Sequence, residues 1–218
     1  MSKLHLVIAN KNYSSWSLRP WMALSMAGVP FDETVIPLDT PKTKRLILKH
    51  SGAGKVPVLH DGKITVWESL AILEYLADAY PEKNLWPKSR AARAMARAVS
   101  TEMHGGFAAL RSECPMNLHR APKPVKLSDM AKANIARIED IWRDCRAAHG
   151  KGGKFLFGKF SNADAMYAPV VTRFDTYDIK VAKDTRAYMD AVLSTKAFTA
   201  WKAAALKEAW IVPHDEVD

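Results

Sequence analysis

A proline stands inside an apolar strand pattern at Val56-Pro57-Val58-Leu59-His60, and it restricts the fold more than any other residue here. Proline has no amide to give to a sheet, so it survives only at an edge, a bulge or a strand entrance. One solution is a plain edge strand. The other is a cis Val56–Pro57 bond at a strand entrance, which leaves the N–H and C=O of Val56 free to pair with an extended peptide. Asp61-Gly62 then turns the chain into a second strand, Lys63-Ile64-Thr65-Val66-Trp67. From Glu68 to Tyr80 the apolar residues Leu70, Ile72, Leu73, Leu76 and Ala77 fall at helical spacing, and Pro81 ends the run.

Upstream, Leu4 to Ala9 reads as a strand, followed by a hydroxyl-rich turn at Tyr13-Ser14-Ser15-Trp16-Ser17. A helix is expected from about Ser15 to Ala27, stopped at Gly28 with Pro30 beyond it. A short strand near Glu33–Ile36 and a short helix from Pro41 to Lys49 complete a β-α-β-α-β-β-α order. The segment 83–88, with Asn84-Leu85-Trp86-Pro87-Lys88, reads as a linker. Beyond it no convincing strand pair appears. Helices are expected at 89–110, from Ser128 to Gly150, from Ser161, and over about 184–193 and 196–209. The fold class is therefore a small α/β domain (1–82) joined to an all-helical domain (89–218).

Composition narrows the function. No apolar run approaches the roughly 20 residues of a membrane span, and Asn10, Lys11 and Asn12 interrupt the first apolar stretch too early for a signal peptide. Cys114 and Cys145 are the only cysteines, which favours a reducing, cytoplasmic setting over a disulfide scaffold. The net charge of +9 is uneven: about +1 falls in residues 1–82 and about +8 in 83–218. The basic residues are scattered along helices without interleaved stacking aromatics, so nucleic acid is not an expected partner. Attraction of anionic small molecules is the better use of this charge.

Three segments carry chemistry. The first helix offers unpaired N–H groups and a positive dipole end at Ser14 and Ser15, where a hydroxyl can donate to a thiolate or simply cap the helix. Val56 is the candidate peptide-pairing residue. Glu68-Ser69, at the head of another helix, couples a carboxylate for an ammonium with a hydroxyl for a carboxylate, which together would grip an amino-acid head group.

This order of motifs resembles the cytosolic glutathione S-transferase family, and among its members the serine-type, zeta-like bacterial ones. The match covers nearly the whole chain. The resemblance implies a thioredoxin-like first domain in which Val56, Glu68 and Ser69 bind glutathione as co-substrate, Lys55 contacts its glycyl or backbone end, and no metal takes part. It also implies a homodimer in which the first domain of one subunit meets the helical domain of the other. Phe157-Gly158-Lys159-Phe160-Ser161-Asn162-Ala163-Asp164 looks like the buried capping box of this family, a structural element. Trp16 departs from the pattern, standing where zeta members have a cysteine.

The expected activity is attack of a serine-activated glutathione thiolate on an electrophilic carbon, as in detoxification. Ser14 is the first candidate for the activating hydroxyl, with Ser15 next and Ser17 third; Tyr13 is a further possibility from the tyrosine-type classes. The alternatives are cis–trans isomerisation of a small unsaturated diacid, as by maleylacetoacetate isomerase, and a non-catalytic binding module. For the electrophile, His104, Phe107 and Arg111 recur on one face of the expected helix, with Asn117 in the following loop. That mixed face suits a polarised or anionic substrate.

Overall fold

The structure is a computed structural model that describes residues 3–217. Its first half contains β1 (Leu4–Ala9), α1 (Ser15–Ala27), β2 (Phe31–Ile36), α2 (Thr43–Leu48), β3 (Val58–Asp61), β4 (Ile64–Trp67) and α3 (Ser69–Ala79). The four strands form one sheet in the order β2-β1-β3-β4. β1 runs parallel to β2, with Leu6 opposite Glu33, and antiparallel to β3, with Leu6 opposite Leu59. Strand periodicity sorts its side chains. Leu4, Leu6 and Ile8 join Leu18, Met22, Ile72 and Leu76 in the main core, whereas Val7 joins Ile36, Ile47 and Val58 in a smaller one. Covered on both faces, β1 is apolar along almost its whole length.

After a 3-10 turn at Pro81–Lys83 the chain is mostly helical: α4 (Arg90–Gly105), α5 (Ala108–Glu113), α6 (Asp129–His149), α7 (Asn162–Thr176), α8 (Lys183–Leu193) and α9 (Lys196–Ala205). Nearly every residue of α7 is buried, and the helix packs against both α1 and α4. Its N-terminus is fixed to the first half, since Asn162 Nδ2 donates to Leu73 O at 2.9 Å and Asn162 N to Leu85 O at 2.8 Å. The capping box is present. The Asp164 carboxylate accepts from Ser161 N at 2.8 Å, Ser161 Oγ at 3.0 Å and Leu156 N at 3.0 Å. Behind it, the Trp142 ring meets those of Tyr167 and Phe174.

Three sequence expectations need correction. β3 begins at Val58 rather than Val56, because the Val56–Pro57 bond is cis and the ladder starts beyond it. The helix expected over 89–110 breaks instead after Gly105. Gly106 is extended, and a Cβ there would lie 2.6 Å from Glu102 O; Phe107 follows in the left-handed region at φ 60. His104 and Arg111 therefore belong to different helices. α9 ends at Ala205 rather than near 209, because Glu208 is drawn to the loop after β1.

Candidate functional site

The turn after β1 delivers Ser14 to the N-cap of α1, and Ser14 and Ser15 are nearly buried. Ser14 Oγ lies 2.8 Å from Ser17 Oγ, which accepts the amide of Ala9 at 3.0 Å. Ser17 is fully enclosed, so this chain of groups holds the Ser14 hydroxyl at the helix's positive end. No partner is recorded for the Ser15 hydroxyl among the described residues. The Tyr13 hydroxyl is occupied. It donates to Glu216, and burial together with that carboxylate pushes its pKa up to about 12.

The turn itself is clamped from the far end of the chain. Both Glu208 oxygens accept backbone amides, Lys11 N at 2.8 Å and Asn12 N at 2.9 Å, and Trp201 Nε1 donates to Lys11 O at 2.9 Å. Asn12 in turn accepts the amides of Leu118 (2.7 Å) and His119 (2.9 Å). Sequence reading missed Asn12 and Glu208 because their partners lie about a hundred or more residues away.

Glu68 has φ 68, a strained conformation for a side-chain-bearing residue, and leaves its carboxylate half exposed. Ser69 then opens α3 fully buried, with a hydroxyl that has no hydrogen-bond partner. Opposite them His104 places Nε2 3.7 Å from Glu68 Oε2 and its ring 5.1 Å from that of Trp16. Burial and the nearby Arg19 hold the His104 pKa below its usual range, against the pull of Glu68. His104 thus brings Glu68, beside Ser69, and Trp16, next to Ser15, to one place where the two halves meet. Lys55 is exposed and Val56 half-buried.

Of the remaining expected residues, Arg111 reaches Trp16, with its guanidinium carbon 5.1 Å from the ring centre. Phe107 is buried in the core at the break between α4 and α5. Asn117 is not available to a ligand. It is 1% exposed, its oxygen accepts from Asn12 Nδ2, His119 N and Arg120 N, and its Nδ2 donates to Glu216. Its role in this structure is to tie the loop after α5 to the loop after β1. The cysteines stay outside the site: both are buried, and burial pushes their thiols up to about 11 for Cys114 and about 12 for Cys145.

Comparison with known proteins bears on the family. Residues 13–79 match the family model described as glutathione S-transferase, N-terminal domain. Glutathione S-transferase 1 of Dianthus caryophyllus is 33% identical over 178 residues, covering 78% of this chain and 76% of that protein. A probable maleylacetoacetate isomerase of Caenorhabditis elegans is 35% identical over 100 residues, 45% of this chain; the match spans less than half (46%) of that relative's length. In fold, a Burkholderia glutathione transferase homolog solved with bound glutathione superposes with a TM-score of 0.73 at 18% identity, covering 95% of this chain and all (100%) of that one.

Proposed function

Given that the chain belongs to the glutathione S-transferase family, we propose that it binds glutathione in the cleft between its two halves and activates the thiol for attack on an electrophile. The observation that carries this reading is the orphaned hydroxyl of Ser69. It is buried at the first turn of α3, beside the strained Glu68, and has no hydrogen-bond partner among the described residues. A buried polar group without a partner is costly unless a ligand completes it. The γ-glutamyl head group of glutathione does so: its carboxylate accepts from Ser69 and the α3 amides, and its ammonium pairs with Glu68. Val56 and Lys55 then flank the cysteinyl and glycyl part.

The thiol is placed at the N-terminus of α1. Without ligand, Ser14 Oγ donates to Ser17 Oγ while Ala9 N donates to Ser17. Rotation about the Ser14 Cβ–Oγ bond turns that proton to an incoming sulfur, and Ser17 N still donates to Ser14 Oγ. The thiol proton leaves to solvent, the thiolate is held by Ser14 and the helix dipole, and it attacks the electrophilic carbon. Similarity to the nematode isomerase supports a second use of the same thiolate, adding to a double bond and departing after rotation. Calorimetric titration with glutathione tests the shared core of this reading. Micromolar-to-millimolar binding that raises thiolate absorbance near pH 7 is expected; no binding at millimolar glutathione would overturn it. Product analysis separates conjugate from isomer.

A twofold dimer is part of the same reading. Ile64 and Trp67 on the edge strand β4 are about half exposed, and Ala91, Ala94 and Ala98 leave an uncrowded exposed stripe on α4. Light scattering at micromolar protein should give twice the chain mass, and a monomer mass would refute the dimer.

A further inference from the structure

The cleft wall beside Trp16 contains the most anomalous group in the protein. Arg19, one turn into α1 from Ser15, is fully buried, and both of its terminal nitrogens lack a hydrogen-bond partner; only Nε is used, donating to Met166 O at 3.3 Å. Its guanidinium stacks on the Trp16 indole, 3.9 Å from the ring centre, and Arg111 approaches the same ring at 5.1 Å. A third guanidinium, Arg173 of α7, is also buried; it donates to Cys114 O at 2.8 Å and Pro169 O at 3.3 Å. The charges acting most strongly on Arg19 are those of the other two arginines, and no carboxylate acts comparably on it. The Glu68 carboxylate lies beside His104, and Glu68 is assigned to the glutathione ammonium.

Buried guanidinium charge is ordinarily paired, because desolvating it without a partner is expensive. Arg173 is answered by Asp215 and by two backbone carbonyls, but Arg19 and Arg111, meeting on the Trp16 ring, form a receptor for an anion that the protein does not itself supply. We propose that the electrophile accepted by this site carries an anionic group, a carboxylate or a close analogue, bound by Arg111 and Arg19 against Trp16. This rests on the glutathione-transferase reading and specifies its second substrate. Arg111 is partly exposed and takes the anion first. Arg19 lies behind the half-buried indole and adds its charge across the ring it stacks on. Arg111 Nη1 is spent on His104 O and Gly106 O, which fixes the guanidinium while its other edge remains for the ligand. Ser15 and Arg19 are four residues apart on one face of α1, so a carboxylate on this cluster leaves the rest of a small molecule directed towards the thiolate.

The test compares two electrophiles with the same reacting carbon: 2-nitrobenzyl chloride and its carboxylate analogue, 4-(chloromethyl)-3-nitrobenzoate. In each, the thiolate forms a C–S bond at the benzylic carbon, and the C–Cl bond breaks with its electron pair leaving on chloride. The proposal expects kcat/KM at least tenfold higher for the carboxylate, and a tenfold or greater fall in that ratio in Arg111→Gln, partly restored in Arg111→Lys. In the glutathione-loaded protein, benzoate should raise Tm and benzamide should not, and Arg19→Met should abolish the benzoate shift. If Arg19→Met does not fold, the wild-type preference and the Arg111 variants still decide. Equal rates on both chlorides with no benzoate shift, as when buried water satisfies Arg19, would overturn the anion receptor. Glutathione titration keeps the two readings apart: a protein that binds glutathione but shows no anion preference fails only here.

Discussion

The Ser14 hydroxyl lies 2.8 Å from that of Ser17, and Ser17 in turn takes the Ala9 amide of β1. The N-cap of α1 is thereby tied to the central strand of the sheet, and the group nearest the helix dipole has a fixed position. Ser14→Ala should raise the pKa of bound glutathione by about 1–2 units, the equivalent of losing one charge-assisted hydrogen bond of about 1.5–3 kcal/mol. Ser17→Ala should shift it by less than Ser14→Ala does, since Ser17 accepts the Ser14 proton in the free protein and does not itself meet sulfur. Titrating thiolate absorbance in each complex checks this. A large shift in Ser15→Ala with none in Ser14→Ala would transfer the role to Ser15.

Glu68→Gln and Ser69→Ala should each weaken glutathione binding by roughly 10- to 150-fold, corresponding to about 1.5–3 kcal/mol for a bond to a charged group. Ser69→Ala has a second signature. Its hydroxyl has no partner in the free protein, so removing it should leave the glutathione-free Tm unchanged or higher. A lower Tm with unaltered glutathione affinity would make Ser69 a helix cap and nothing more.

The local part of this architecture was legible in the sequence. Alternating and helical apolar spacing marked each strand and most helices, Pro57 marked the strand entrance, and Ser161 with Asp164 marked the capping box. What could not be read was set by distant partners. Nothing around Asn117 announces that Asn12 and Glu216 will consume its amide. Nothing around Arg19 announces that α7 will enclose it. Helical spacing runs on past Gly105-Gly106, and nothing in it announces that the Gly106 backbone closes on Glu102 O and ends the helix there.

Glu208 offers a test of the clamp on the turn after β1. Its carboxylate holds the amides of both Lys11 and Asn12, across almost the full length of the chain. Glu208→Ala leaves two amides short of a charged acceptor and should cost about 1.5–3 kcal/mol, seen as a lower denaturant midpoint. Because the turn precedes Ser14, turnover should fall further than the stability loss alone explains. Glu208→Gln keeps one acceptor oxygen and should recover part of both. An unchanged midpoint in Glu208→Ala would show that Trp201 and Asn12 hold the turn by themselves.

The last prediction concerns pH. Burial raises the Asp164 pKa to about 6, only partly offset by the hydrogen bonds from Leu156 and Ser161. In the unfolded chain an aspartate titrates near 4. Between these values the native state therefore binds more protons than the unfolded state, and this group's contribution to stability falls as pH rises through the window. The slope is up to about 1.4 kcal/mol per pH unit, levelling off below about 4 and above about 6. Asp164→Asn cannot titrate, so the Tm difference between the native protein and this variant isolates the effect from every other group. That difference should favour the native protein most at pH 4 and shrink steadily to pH 6.5. A difference that grows with pH would mean that the capping hydrogen bonds outweigh burial, so that Asp164 is held as a carboxylate throughout.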